Sequence, residues 1–151
     1  MDGAIVILDG VKGVEAQTET VWKQANSYKI PRIIFINKMD RTGASFTASL
    51  QSVIKRLKGW GTPLTLQLPV FKGADDVFDS VLDVIELQHI DWKSDSKTGS
   101  IVNRVAIQDK HLLQKALEAR EKIIENLSDL DEEIVNVFME HDGTFFIASR
   151  L

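Results

Sequence analysis

The sequence predicts an α/β fold in two parts: a parallel sheet with flanking helices, then a smaller α+β segment. Three observations carry this. Two short, continuous apolar runs, residues 4–8 and 33–36, are separated by a helix-like pattern. A second helix-like pattern follows the second run. Beyond Pro63 the chain changes to short alternating segments and then to one long helical stretch. Short apolar runs bounded by turn residues are the pattern of strands buried in a parallel sheet.

The elements follow in order. Residues 4–8 (Ala-Ile-Val-Ile-Leu) stop at Asp9-Gly10 and are expected to be a fully buried strand. From about Val14 the pattern is helical, with Val21, Trp22, Ala25 and Tyr28 at spacings of three and four, until Ile30-Pro31 stops it. Residues 32–36 supply the second strand, which completes a β-α-β unit with parallel strands. Phe46, Leu50, Val53, Ile54 and Leu57 then form one apolar stripe of an amphipathic helix. Ser45 suits its N-cap, and Lys55, Arg56 and Lys58 complement the dipole of its last turn. In the second part, residues 64–68 alternate and end at Pro69, the mark of a strand. Residues 77–92 are expected to form two short strands, and 94–100 a polar loop or hairpin. A long helix is expected from Asp109 to about Leu127, burying Leu112, Leu113, Ala116, Leu117, Ile123, Ile124 and Leu127. A further helix, capped by Asp129 or Asp131, would run through Glu140 to His141-Asp142-Gly143, before an apolar segment at 145–151. The expected division is 1–60 and 61–151.

Composition narrows the function classes. In 151 residues, 44% hydrophobic and 26% charged content are those of a globular protein. A net charge of −4 gives no global pull toward nucleic acid, so no sequence-specific nucleic-acid partner is expected. The absence of cysteine excludes disulfides and thiolate metal sites. No apolar run is long enough to span a membrane as a helix, and no membrane partner is expected. A buried-type strand starts almost at the first residue, so the chain is expected to be an internal piece of a longer protein.

The chemistry concentrates in Asn37-Lys38-Met39-Asp40, directly after the second strand. Ligands of open α/β sheets bind at the carboxyl ends of strands. An Asp there can accept two hydrogen bonds from the N1–H and N2–H edge of guanine. Adenine would leave that carboxylate unpaired, and such mismatches are rejected strongly. The Asn amide can meet the O6/N7 side of the base, and the Lys can lay its aliphatic stem over the purine face. Met39 is expected to pack elsewhere. Taken alone, the tetrad also fits a polar turn that merely closes a strand; its strand-loop-helix context favours guanine recognition.

Longer strings carry a resemblance. Residues 2–22, which include Asp9-Gly10-Val11-Lys12-Gly13-Val14-Glu15-Ala16-Gln17-Thr18-Glu19-Thr20-Val21-Trp22, resemble the middle of the GTPase domain of the elongation factor G family. So do residues 30–46, which contain the tetrad. Leu66-Gln67-Leu68-Pro69, Phe78, Val81, Asp83-Val84 and Ile90-Asp91-Trp92 resemble strands of that family's G′ insertion. Ala119-Arg120-Glu121 and residues 128–133 look most like the family's mitochondrial ribosome-releasing branch.

The resemblance implies a partial P-loop GTPase domain followed by a G′ subdomain incomplete at its C-terminus. It implies GTP or GDP bound at Asn37, Lys38, Met39 and Asp40, with Mg²⁺ in the intact parent. It implies a parent GTPase that disassembles post-termination ribosomes with ribosome recycling factor in the mitochondrial matrix. The helices over 109–140 would face the stalk of the large ribosomal subunit, near its GTPase-associated region. Gln17, Thr18 and Trp22 match a family string near the second switch helix, and their expected role is helix packing and capping. Phosphoryl transfer needs a Gly-rich Lys-Ser/Thr loop, which this sequence lacks, so no catalytic or metal-binding residue is assigned. His89, His111 and His141 are expected to be surface or helix residues. Translocation during elongation, or a catalytically empty ribosome-binding module, are the alternatives.

Overall fold

A computed structural model describes residues 2–59, 61–73, 76–92, 102–131 and 136. The chain divides into two compact units, Met1–Pro63 and Leu64–Leu151.

In the first unit, strand β1 (Ala4–Asp9) pairs in parallel with β2 (Arg32–Asn37), Asp9 lying opposite Asn37 at the carboxyl ends. Helix α1 (Ala16–Ser27) connects them and α2 (Phe46–Arg56) follows. Leu8, Val14, Trp22, Val53 and Leu57 form the core, with Val6 and Ile34 packed against it. Both helices therefore cover one face of the strand pair. The expectation of a fully buried first strand is corrected: Ile5 and Ile7, with Ile33 and Phe35 beside them, are exposed on the opposite face. A strand has two faces of alternating residues, and no described residue of this unit covers the second.

Helix α2 also departs from its predicted stripe. Ser45 caps it, accepting from the Ala48 N–H at 3.2 Å, but Ile54 is exposed and Ser49 is fully buried. Ser49 and Ser52 face the β1–α1 loop instead. Ser49 Oγ donates to the Gly10 carbonyl at 3.3 Å, and Ser52 Oγ accepts from the Val14 N–H at 3.0 Å. A buried loop must find partners for its backbone groups, and these two hydroxyls provide them. Val21 in α1 and Tyr28 at its C-cap are likewise exposed, and within the helix Trp22 alone is buried.

The second unit contains a four-stranded antiparallel sheet in the order β3-β4-β5-β6. Its strands are β3 (Gln67–Lys72), β4 (Val77–Asp83), β5 (Gln88–Trp92) and β6 (Val102–Ala106), and α3 (Lys110–Ser128) follows. The two strands expected over 77–92 are present as β4 and β5. The strand expected over 64–68 is displaced to 67–72 and runs through Pro69, which pairs with Val81. Proline removes a donor but is tolerated on an edge strand, and β3 is an edge. Strand β6 was not foreseen, because Asn103 and Arg104 break its apolar pattern. Asp109 caps α3, accepting from the His111 and Leu112 N–H groups at 2.8 and 2.9 Å. Val70, Leu82, Ile107 and Ala116 make the core of this unit, with Leu112 and Leu113 packed against it. Leu117, expected on the buried face, is 40% exposed. The loop expected over 94–100, the second helix to Glu140 and the apolar segment at 145–151 lie outside the described residues, apart from Asn136, which is helical. Among the described residues no helix is long and apolar enough to cross a membrane.

Candidate functional site

The tetrad occupies the turn that leaves β2. Asn37 is the last strand residue, and its backbone carbonyl accepts the Gly10 N–H at 2.8 Å, binding this turn to the neighbouring β1 turn. Gly10 is buried at that junction. A Cβ there would lie 2.8 Å from Met39 Sδ and 3.0 Å from the Asn37 carbonyl oxygen, so only glycine fits without displacement. The Met39 side chain thus lies over Gly10. From below, Ser45 N–H donates to the Gly10 carbonyl at 2.9 Å, so the N-cap residue of α2 closes the same junction.

Lys38 turns the chain. Its φ of 62° is left-handed, a conformation that costs a non-glycine residue roughly 1–2 kcal/mol. Two contacts hold it. Asn37 Oδ1 accepts from the Lys38 N–H at 2.9 Å, and Lys38 Nζ meets Asp9 Oδ2 at 2.8 Å. The Lys38 carbonyl then accepts from the Arg41 N–H at 3.2 Å. Because the Asn37 oxygen is engaged, its amide nitrogen is the end left to donate outward. Asp40 is exposed, and among the described residues no hydrogen bond or ion pair engages its carboxylate. An outward amide donor, an unengaged carboxylate and a long aliphatic stem thus stand together at the strand end. This donor set suits the mixed acceptor and donor edge of guanine.

Asp9 is the residue that sequence reasoning missed. Besides pairing with Lys38, its Oδ1 accepts from the Val11 N–H at 2.9 Å. The Lys38 ammonium, then the Val11 N–H, hold its carboxyl well below the usual range, at about 2. The available signal was its place at the end of β1, one strand from the tetrad.

Other sequence-noted residues lie apart from this turn. The Arg32 guanidinium stacks over Trp22 at 4.0 Å and donates to the Trp22 carbonyl at 3.2 Å, which makes Trp22 a packing residue. Gln17 is exposed on α1. A cleft of about 360 Å³ between α1 and α2, lined by Trp22, Lys55 and Arg56 among others, contains none of the tetrad. Arg56 there is tied to Glu19 and to the Val14 carbonyl. His89 is neither a surface nor a helix residue: it lies half-buried in β5 with Nε2 2.6 Å from Ser80 Oγ. Ser80 in turn donates to Asp79 at 2.8 Å, so His89 must donate from Nε2. Among the described residues there is no cluster of three or more His, Cys, Asp or Glu able to hold a metal.

Comparison with known proteins identifies the family. Residues 1–142 match the family described as the Elongation factor Tu GTP binding domain. The chain is 44% identical over 146 residues to mitochondrial ribosome-releasing factor 2 of Talaromyces stipitatus, covering 94% of this chain and 16% of that protein. It is 43% identical over 142 residues to the Mus musculus protein of the same name, covering 92% of this chain and 18% of that one. Elongation factor G of Fervidobacterium nodosum is 42% identical over 140 residues, covering 93% and 19%. The chain therefore spans less than a fifth of the length of these relatives. A crystal structure of a Thermus thermophilus protein superposes with a TM-score of 0.74 at 21% identity, over 93% of this chain and 19% of that one, and shares the fold. The expected likeness to elongation factor G and to its ribosome-releasing branch is thus borne out, and the chain belongs to the elongation factor Tu-type GTP-binding domain family of translation factors.

Proposed function

We propose that this chain carries the guanine-reading half of the nucleotide site of a translational GTPase. Asn37 meets the O6/N7 side of the base, Lys38 covers the purine face, and Asp40 accepts from N1–H and N2–H. Met39 packs inward over Gly10 and supports the turn. The carrying observation is the tetrad's state at the end of β2: the Asn37 oxygen is occupied by the Lys38 N–H, while the Asp40 carboxylate has no partner among the described residues. Phosphate binding, Mg²⁺ and hydrolysis belong to parts of the parent beyond this chain, so the isolated chain should hydrolyse no GTP.

For the parent, the favoured role is disassembly of post-termination ribosomes together with ribosome recycling factor, in the mitochondrial matrix. Its support is the likeness to ribosome-releasing factors of two distant organisms. In this reading residues 61–151 are the G′ subdomain, and they face the ribosomal stalk and GTPase-associated region. Elongation factor G relatives match nearly as well, which keeps translocation as the second reading. Ribosome splitting and peptide elongation, assayed side by side with the parent, separate the two.

The test of the base reader is Asp40→Asn in the parent. An Asn amide donates to the extra carbonyl of xanthine, so preference should move from guanosine to xanthosine diphosphate. Two hydrogen bonds to a charged acceptor predict a change of roughly 10²–10⁴ in the affinity ratio. An unchanged ratio removes Asp40 from this role.

A further inference from the structure

We infer that Asp9 is the positioning residue for Lys38, holding its ammonium aside so that the aliphatic stem is presented to the purine. The inference rests on the guanine-reading proposal and assigns a role to a residue outside the tetrad. Three observations carry it. Asp9 and Asn37 are register partners at the carboxyl ends of the paired strands, so the Asp9 side chain starts one strand away from Lys38. Lys38 Nζ lies 2.8 Å from Asp9 Oδ2, where the Asp9 side chain is only 14% exposed while the lysine side chain remains 41% exposed. Asp9 is itself immobilised: its other oxygen accepts from the Val11 N–H at 2.9 Å and the Lys12 N–H at 3.4 Å.

The physical consequence concerns both entropy and solvation. A free lysine samples many rotamers, and ordering it when a ligand arrives opposes binding. Here the two ends of the side chain are fixed beforehand, one by the left-handed backbone and one by Asp9. The neutralised ammonium also need not lose water against the base, because its charge is already compensated. The lysine side chain stays 41% exposed, which leaves its methylenes accessible to the flat face of a purine. The firmly ionised state of Asp9 is consistent with a permanent anchor at neutral pH.

The experiment is a double-mutant cycle in the full-length protein that contains this segment, with guanosine diphosphate as the probe. Asp9→Asn keeps an oxygen for the Val11 N–H and removes the charge. It is expected to weaken binding about tenfold, which corresponds to about 1.4 kcal/mol. Lys38→Met keeps an unbranched apolar stem without the ammonium and should lose at least as much. The double variant should lose no more than Lys38→Met alone, because Asp9 acts through Lys38. A merely structural Asp9 would give losses that multiply, and that result overturns the inference, as does wild-type affinity in Asp9→Asn. If Asp9→Asn does not fold, Asp9→Ser, which keeps an oxygen for the Val11 N–H without the charge, takes its place in the same cycle: wild-type affinity or losses that multiply overturn the role, and a loss absorbed by Lys38→Met supports it. Guanine-to-xanthine preference of Asp40→Asn is measured alongside. Its failure rejects the guanine reader, whereas additivity with that preference intact rejects only Asp9.

Discussion

Replacing Gly10 with alanine tests the junction on which the tetrad rests. The added methyl would lie 2.8 Å from Met39 Sδ, 3.0 Å from the Asn37 carbonyl oxygen and 3.5 Å from Ala44 Cβ. The sulfur ends a flexible side chain and can move. The carbonyl cannot move freely, because it is the backbone of β2 and accepts the Gly10 N–H at 2.8 Å. Overpacking at such a site costs about 1–3 kcal/mol. Reduced freedom of the unfolded chain returns about 0.4–1 kcal/mol. Central values of the two leave a loss of about 1.3 kcal/mol, a fall of about 0.7 M in the urea midpoint at a slope of about 2 kcal/mol/M. Urea unfolding of the chain followed by circular dichroism measures it. In a Met39→Ala background the penalty should shrink without vanishing, since the Asn37 carbonyl remains. A midpoint equal to or above that of the unsubstituted protein would refute the close approach of the two turns.

Three further outcomes are expected. Leu82→Ala should destabilise the second unit by about 2–5 kcal/mol, because Leu82 is buried against Val70, Ile107 and Ala116. Leu117→Ala should change it by less than about 0.5 kcal/mol; equal losses would return Leu117 to the core. Asp9 has a folded pKa lowered from 3.8 to about 2. The unfolded carboxyl therefore binds its proton first as pH falls, so the stabilisation is complete above about pH 4 and is lost on acidification toward about 2. Unfolding measured from pH 5 to 2 should be less steep in Asp9→Asn than in the unsubstituted protein, and identical slopes would contradict the ion pair.

Much of the first unit was legible because its signals are local. The apolar runs, the Ser45 cap and the tetrad's place after a strand all depend on neighbours in sequence, and the structure has the β-α-β-α order they imply. The errors came where a partner distant in sequence decides. Pro69 read as a strand end because a proline cannot donate to a ladder, yet at a sheet edge that donor is not needed. Strand β6 has little apolar character of its own and exists through pairing with β5, Gln88 opposite Ala106 through Trp92 opposite Val102. Ile54 and Leu117 fit helical stripes but turn outward, because Ser49 and Ala116 occupy the inward positions.

The candidate site divides in the same way. Sequence alone determined which four residues form the turn and what base chemistry an Asn, a Lys and an Asp can offer there, since those follow from residue type and spacing. Only the tertiary structure decided how they are held. The parallel register sets Asp9 beside Asn37, Lys38 takes a left-handed backbone and reaches across to Asp9, and Gly10 leaves room for Met39. The physical reason is separation along the chain: Asp9 and Lys38 are 29 residues apart, and only strand pairing brings a carboxylate to an ammonium at 2.8 Å.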